Sequence, residues 1–154
     1  MNVKTVRLAD VCSIKYGKDH KKLCDGTIPA FGSGGVMRYV NQAISEKPSV
    51  LIPRKGSLSN LFYVEEPFWT VDTLFWTDIY TDKIIPRYFF YVLKQKNLSS
   101  YNEGSAVPSL TVKTLNDITL DLPDLHTQKT VVNFLSNFDK KINLNNRIND
   151  YLVN

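Results

Sequence analysis

The stretch PDLHTQKTVVNFLSNFDKKINLNNRINDYL, residues 123–152, decides the fold because it reads as one long uninterrupted helix. Pro123 and Asp124 favour a helix start, and neither proline nor glycine follows them. About 29 residues at 1.5 Å each make a rod of roughly 43 Å. We therefore expect a long C-terminal helix over residues 123–154, attached to a domain formed by residues 1–122.

The apolar residues of this helix lie on two faces. The first face is a stripe that we expect to pack on the preceding domain. Its members are Val131, Leu135, Phe138 and Ile142. The second face follows in the last turns, is interrupted by asparagines, and predicts contact with a partner helix, as in a coiled coil. Its members are Leu144, Ile148, Tyr151 and Leu152. A solvated helix end is the alternative.

Length and composition suit a single domain with an appended element, because 154 residues with 43% apolar side chains can bury a core. The sequence has no run of 18 apolar residues and no basic-then-apolar leader, which predicts a cytoplasmic protein without membrane contact. Cys12 and Cys24 form no C-x-x-C pair, so we expect two reduced, semi-buried thiols. A zinc site with His20 and the distant His126 is the alternative.

Positive charge is concentrated in the first 60 residues. This segment holds ten lysines and arginines against four acidic residues, a balance of +6, whereas the remainder sums to −2. A basic half indicates a polyanionic partner. Lysines that coat a surface for solubility would give the same excess.

Short strand-like runs separated by turn residues predict a mostly antiparallel, distorted sheet or barrel. We expect strands at Cys12–Tyr16, Thr27–Phe31, Val36–Val40, Ser49–Ile52, Leu61–Val64, Phe68–Trp76 and Asp117–Leu122. A helical turn is expected over Val6–Val11, and short helices over Pro86–Lys96 and Thr111–Asn116. The predicted fold class is therefore α+β, with the long helix at the end.

Three polar segments between these strands carry groups that bind polyanions. They are the basic loop Lys18–Lys22, the glycine turn Gly32–Gly35 and the loop Pro53–Asn60. The glycine turn lacks the Lys-Ser/Thr ending of a P-loop, so we expect a tight turn whose amides can approach a phosphate or a base edge. The loop Pro53–Asn60 offers two cations, hydroxyls and an amide that can grip phosphates and read bases. A merely solvated loop is the alternative.

No catalytic signature is convincing. Two histidines leave little for a histidine-based triad, and no adenine-methylation motif occurs. Asp124 and the run Asp139-Lys140-Lys141 imitate a metal-dependent nuclease, but they would lie about 22 Å apart along a helix. The aromatic run from Phe68 to Trp76 could stack on bases, although aromatic residues at strand spacing usually form core.

Four ordered segments resemble one known family. These segments are Ile28–Met37, Val50–Leu58, Phe68–Trp76 and the stretch from Gly104 to Lys129. The first three resemble a target recognition domain of type I restriction-modification specificity (S) subunits. The fourth is similar to the junction where such a domain meets its spacer helix. The resemblance covers nearly the whole chain.

The resemblance implies a subunit without catalytic activity of its own. An S subunit of this family carries two recognition domains, each reading one half of a bipartite DNA site, and two antiparallel helices that dock the methylating subunits. Because this chain has one domain and one helix, we expect a half-length S subunit that binds double-stranded DNA. Its helix would pair with a second copy or with a second S half.

The same resemblance assigns every cofactor to other subunits. S-adenosylmethionine, Mg²⁺ and ATP are expected only on the modification and restriction subunits, and this chain should need none. A helical docking scaffold that does not bind DNA is the alternative function, and a small nuclease is a third. The candidate DNA-binding residues are Lys18, Lys21, Lys22, Ser33, Gly34, Arg38, Arg54, Lys55, Ser57, Ser59 and Asn60.

Overall fold

A computed structural model describes residues 2–153 of the chain. Its strands are β1 (Val3–Arg7), β2 (Cys12–Tyr16), β3 (Asp25–Gly32), β4 (Gly35–Val40), β5 (Ser49–Pro53), β6 (Phe62–Val64), β7 (Trp69–Thr70), β8 (Leu74–Ile79) and β9 (Thr119–Pro123). Its α-helices are α1 (Leu8–Val11), α2 (Pro86–Lys94), α3 (Val112–Asn116) and α4 (Leu125–Val153). A 3₁₀ turn covers Leu98–Tyr101. The predicted α+β class is confirmed.

The strands of residues 2–153 form three sheets. One pairs β1 with β9, the second has the order β2-β8-β5-β6, and the third has the order β4-β3-β7. All pairs are antiparallel except β3 with β7. The predicted mostly antiparallel arrangement is confirmed, but within these residues the sheets do not close into a barrel, because each is short and ends on its own edge strands.

The core lies between the second sheet and the helices α2 and α3. All five residues of β5 are buried, since this strand runs inside its sheet and is covered on both faces. Phe75 of β8 and Phe89 of α2 both belong to this core. In the middle of the sheet, the Thr77 hydroxyl accepts a hydrogen bond from the amide of Val50 at 3.0 Å. Most of the aromatic run from Phe68 to Trp76 is buried, which confirms its role as core.

The N-terminus differs from its prediction. Val6 and Arg7 belong to β1 and not to a helical turn, so the helix covers only Leu8–Val11. The reason is long-range pairing, because Val6 lies opposite Leu120 of β9 in an antiparallel ladder. That pairing supplies backbone hydrogen bonds that a four-residue helix could not replace.

Helix α4 begins at Leu125, two residues after the expected start. Pro123 ends β9 and is buried there. The helix is capped by Asp124, whose carboxylate accepts hydrogen bonds from the backbone amide and the hydroxyl of Thr127, both at 2.9 Å. An acidic cap pairs with amides that have no partner inside the helix. No helix within residues 2–153 is both long and apolar enough to cross a membrane.

The stripe of α4 that faces the domain is only partly the predicted one. Val131 packs against the core as expected. Phe138 and Ile142 are 50% and 56% exposed, so their assignment to the domain-facing stripe was wrong. The domain ends before the helix does, and from residue 140 onward every described residue of α4 is exposed. At 1.5 Å per residue, about 21 Å of helix projects beyond the domain.

The two cysteines have different surroundings, and neither forms a disulfide. Cys12 is buried, and this burial together with the charge of Asp78 raises the pKa of its thiol to about 12. Cys24 is exposed, which corrects the expectation that both thiols are semi-buried. Among residues 2–153, no three His, Cys, Asp or Glu side chains converge on a possible metal position.

Candidate nucleic-acid interface

The turn between β3 and β4 projects the residues Ser33 and Gly34. These two residues connect Gly32 to its antiparallel partner Gly35. Gly35 has a φ of +115°, a conformation that other residues rarely adopt, so glycine is required there. The predicted tight turn is confirmed, and Gly34 has open space around its Cα, which lets another molecule approach the backbone.

The loop from Pro53 to Asn60 is held at both edges. The amides of Arg54 and Lys55 donate hydrogen bonds to the carbonyl oxygen of Thr73, at 2.8 and 3.3 Å. On the other edge, the amide of Gly56 donates to the carbonyl oxygen of Pro108 at 3.0 Å. Leu58 is buried in the core and anchors the middle of the loop. The loop is therefore an ordered part of the surface.

The structure brings the turn and this loop together. The side-chain amide of Asn60 donates a hydrogen bond to the backbone oxygen of Ser33, at 3.2 Å. Gly56, with a φ of +94°, lies beside Ser33, because a Cβ built on it would come within 3.4 Å of the Ser33 hydroxyl. Two segments that are separate in sequence thus form one surface.

The basic loop completes this surface around an open cleft of about 700 Å³. The cleft is lined by Asp19, His20, Lys21, Gly32, Ser33, Gly34, Met37, Val71, Asp72 and Thr73. Three of the predicted residues, Lys21, Ser33 and Gly34, therefore share it. Lys18 and Lys22 are exposed in the same loop. The loop is fixed at its start by the amide of Lys18, which donates to the Thr70 oxygen at 2.9 Å.

Arg54 lies at the rim of the cleft. Its guanidinium donates a hydrogen bond to the backbone oxygen of Asp72 at 3.2 Å and lies 5.3 Å from the ring centre of Tyr16. Lys55 is exposed beside it. Ser57 and Ser59 are also exposed, with their hydroxyl oxygens 3.5 Å apart. The side chains of Lys55, Ser57 and Ser59 therefore face solvent.

Arg38 has a different environment from the other predicted residues. Its guanidinium forms a 2.6 Å ion pair with Asp25 and donates hydrogen bonds to the backbone oxygens of His20 and Leu23, at 3.4 and 3.2 Å. The side chain is 29% exposed. Arg38 therefore ties the basic loop to strand β4, and its donors are largely committed inside the domain.

Two features of this surface were not among the predicted site residues. Tyr16 is 56% exposed next to Arg54, and its aromatic ring offers a stacking face. The loop from Gly104 to Pro108 lies against Gly56, and Val107 in it is 56% exposed. This segment was predicted only as a junction to the helix. The loop lies near Gly56 because of the backbone hydrogen bond between Gly56 and Pro108, which are far apart in sequence.

The four predicted residues of the second helix face are all exposed. Their exposed fractions are 57% for Leu144, 47% for Ile148, 85% for Tyr151 and 79% for Leu152. Phe134 and Phe138, which contact each other edge to face at 5.1 Å, extend the apolar surface toward the domain. At about 100° per residue, Phe134, Phe138, Ile148 and Leu152 fall within one sector of roughly 80°, which begins beside Val131 and extends around the helix to its exposed side.

Fold and surface together define a class of protein, namely an α+β binding module with a polar, partly basic loop surface and a projecting amphipathic helix. The chain belongs to the family described as the type I restriction modification DNA specificity domain, whose model matches residues 1–153. This membership confirms the resemblance that the sequence motifs indicated.

Individual relatives agree with the family. The Mycoplasma pneumoniae protein S.MpnORF285P is 26% identical over 150 residues, which are 91% of this chain and 49% of that protein. The type I restriction enzyme EcoprrI specificity subunit from Escherichia coli is 28% identical over 116 residues, which are 75% of this chain and 29% of that subunit. The chain thus spans about half the length, or less, of these two relatives.

Solved structures show the same fold. The S subunit of a type I restriction-modification system from M. genitalium has a TM-score of 0.81 at 14% identity, over 93% of this chain and 40% of that one. The HsdS subunit from Thermoanaerobacter tengcongensis has a TM-score of 0.71 at 18% identity, over 92% of this chain and 38% of that one.

Proposed function

We propose that this chain is the half of a type I specificity subunit that reads one part of a bipartite DNA site. The observation that carries the proposal is the convergence of three polar segments on one surface. Lys21 and Ser33 line the same cleft, and Asn60 joins the loop Pro53–Asn60 to the turn at Ser33. Family membership supplies the ligand class, DNA.

Different residues of this surface serve different tasks. The exposed lysines, Lys18, Lys21, Lys22 and Lys55, bind phosphates and supply affinity that does not depend on base sequence. Ser57, Ser59 and Asn60 carry hydroxyl and amide groups that can read base edges in the major groove. Arg38 acts indirectly, because it holds the basic loop in place.

The projecting part of α4 joins this chain to its partners. The exposed sector of Phe134, Phe138, Ile148 and Leu152 packs against a second helix, either from another copy of this chain or from a second S half. A symmetric pair of copies would present two identical recognition domains, so the DNA site would consist of two inverted halves. The paired helices also dock the modification subunits.

Catalysis in this proposal belongs to other subunits. The chain binds no S-adenosylmethionine, Mg²⁺ or ATP, and it neither methylates nor cleaves DNA alone. Isothermal calorimetry with S-adenosylmethionine tests this part directly. Binding by the purified chain alone would contradict it.

The salt dependence of DNA binding distinguishes the proposal from the docking scaffold. Each phosphate contact releases a counterion, so the logarithm of the binding constant falls with the logarithm of salt concentration by about 0.9 per contact. When a labelled duplex is titrated with the chain at several salt concentrations, we expect a slope that corresponds to several phosphate contacts. A slope near zero, with the helix still able to bind a partner, would favour the scaffold.

A further inference from the structure

Gln128 is a fully buried polar side chain in the first turns of α4, with a relative exposure of 0%. Its side-chain oxygen accepts a hydrogen bond from the amide of Ile85 at 2.8 Å. Its side-chain nitrogen donates to the backbone oxygens of Lys83 and Pro123, at 3.2 and 2.9 Å. One side chain therefore connects α4 with the segment that leads into α2 and with the end of β9.

A second contact holds the same helix three turns further on. The Tyr91 hydroxyl, on α2, donates a hydrogen bond to the carboxylate of Asp139. Asp139 lies eleven positions after Gln128, which at 3.6 residues per turn is close to three full turns, so both lie on the domain-facing side of α4. Asp139 is also the last residue of the helix that is not exposed.

Helix α2, which carries Tyr91, is itself held in place by contacts with strand β6 and the residue after it. Arg87, on the same helix, forms a 2.8 Å ion pair with Glu65 and lies 5.1 Å from the ring centre of Tyr63. The ring of Tyr63 in turn stacks on Phe90 of α2 at 5.7 Å. The side of α2 that reaches α4 is thus fixed to strand β6 and to the residue that follows it.

We infer that Gln128 and the Tyr91–Asp139 hydrogen bond form a two-point clamp that sets the direction in which α4 leaves the recognition domain, and through it the spacing of the two DNA half-sites. Gln128 is accordingly a positioning residue for DNA recognition and does not touch DNA. The part that concerns half-site spacing rests on the proposed function.

A small tilt of α4 at the clamp produces a large displacement at the tip of the helix. About 21 Å of helix projects beyond Asp139. A tilt of about 10° at the clamp would move the helix tip by roughly 4 Å, which is close to the 3.4 Å between successive base pairs. A loosened clamp should therefore let the two recognition domains accept several spacer lengths in place of one.

Pulsed electron spin resonance measures the clamp without DNA. One spin label is attached to the exposed Cys24 and the second to a cysteine introduced by Asn149→Cys, whereas the buried Cys12 stays unlabelled. Excess unlabelled chain removes distances between copies. We expect a narrow distance distribution for the parent protein and a broader or shifted one for Gln128→Met.

Matched variants separate positioning from general destabilisation. Thr77→Val also leaves a buried amide, that of Val50, without its hydroxyl partner, but this bond joins β5 to β8 and does not involve α4. Tyr91→Phe removes the bond to Asp139, whereas Tyr88→Phe removes a bond from the same helix to the backbone of Asp121. Tyr91→Phe should broaden the distribution, and Thr77→Val and Tyr88→Phe should not. If Gln128→Met fails to fold, the comparison of Tyr91→Phe with Tyr88→Phe tests the clamp by itself.

Binding to duplexes with a series of spacer lengths then tests the consequence for DNA. The parent chain should prefer one spacer, and the clamp variants should lose that preference while keeping half-site binding. Unchanged distance distributions in both clamp variants, or equal broadening in the controls, would overturn the inference. A parent chain without any DNA preference would count against the proposed function, whereas the distance measurement would still decide on the clamp.

Discussion

The side-chain amide of Asn60 donates a hydrogen bond to the backbone oxygen of Ser33, 27 positions earlier in the chain, at 3.2 Å. This bond joins the glycine turn of the third sheet to the loop that follows β5 of the second sheet. A ligand that touches Ser33 therefore also meets the hydroxyls and cations of the loop. The candidate interface depends on this junction and not on one motif.

The first prediction concerns the cations of the loop. Lys55→Ala should weaken binding to all duplexes alike and lower the salt slope by about 1, because a phosphate contact is lost. Arg54→Ala should weaken binding as well, since its guanidinium lies at the rim of the cleft. Lys129→Ala removes the same charge from an exposed position on α4 and is the control. Equal affinities for all four proteins at low salt would place the DNA on another surface.

A second prediction assigns Arg38 to loop order. Arg38→Lys keeps the charge, but one ammonium cannot reproduce the planar fork that holds Asp25 and two backbone oxygens. The amide of Leu23, bonded to the His20 oxygen, should exchange its hydrogen faster, and DNA affinity should fall. Asp25→Asn removes only the ionic partner, which is exposed, and should have a smaller effect. Unchanged exchange at Leu23 in Arg38→Lys would refute this role.

The third prediction concerns the projecting helix. Changing Ile148 and Leu152 together to aspartate should give a folded monomer, because burying each of these side chains contributes roughly 1.5–3 kcal/mol to pairing. The control changes Asn143 and Asn146 to aspartate, which adds the same charge on the other side of the helix. Light scattering measures the mass of each protein. A parent chain that is monomeric at high micromolar concentration would exclude the homodimer and leave α4 to a different partner.

A fourth prediction follows from the support of the clamp. The hydrogen bond from Arg87 lowers the pKa of Glu65 below its ordinary value of 4.5. A group whose pKa is lower in the folded than in the unfolded protein stabilises the fold at pH values above its unfolded-state pKa. This stabilisation is lost as the pH falls through the folded-state pKa. The parent should therefore have a higher free energy of unfolding than Glu65→Gln at neutral pH, by about 0.2–1 kcal/mol for an exposed pair. This difference should shrink below pH 4.5.

Urea titrations at a series of pH values measure that difference. Glu66→Gln is the matched control, because the neighbouring Glu66 forms no ion pair among residues 2–153. A stability difference between the parent and Glu65→Gln that stays constant from neutral to acid pH would contradict the assignment of this ion pair.

Local signals in the sequence predicted much of the fold. The strand Cys12–Tyr16 was predicted with its observed bounds, and the short helix expected near Thr111–Asn116 is α3, where the Thr111 hydroxyl accepts from the Thr114 amide. These features depend on neighbours in the chain. Strand β1 was missed because its partner, β9, lies more than a hundred residues away.

The misassigned part of the helix stripe has the same origin. Helical periodicity showed that Phe138 and Ile142 are apolar and share a sector with Val131, but it contains no information about where the domain surface ends. Arg38 was predicted among DNA-binding residues, and its internal acceptors, His20 and Leu23, become visible only when β3 and β4 pair.

Selection from a random duplex library tests the central claim most directly. The purified 154-residue chain is incubated with the library at physiological salt, and bound DNA is amplified and sequenced over several rounds. The proposed function predicts enrichment of a bipartite site with a fixed spacer, and of two inverted identical halves if the chain pairs with itself. The double variant of Arg54 and Lys55 to alanine should enrich the same site more weakly. A library that stays random with the parent protein would contradict DNA recognition by this chain.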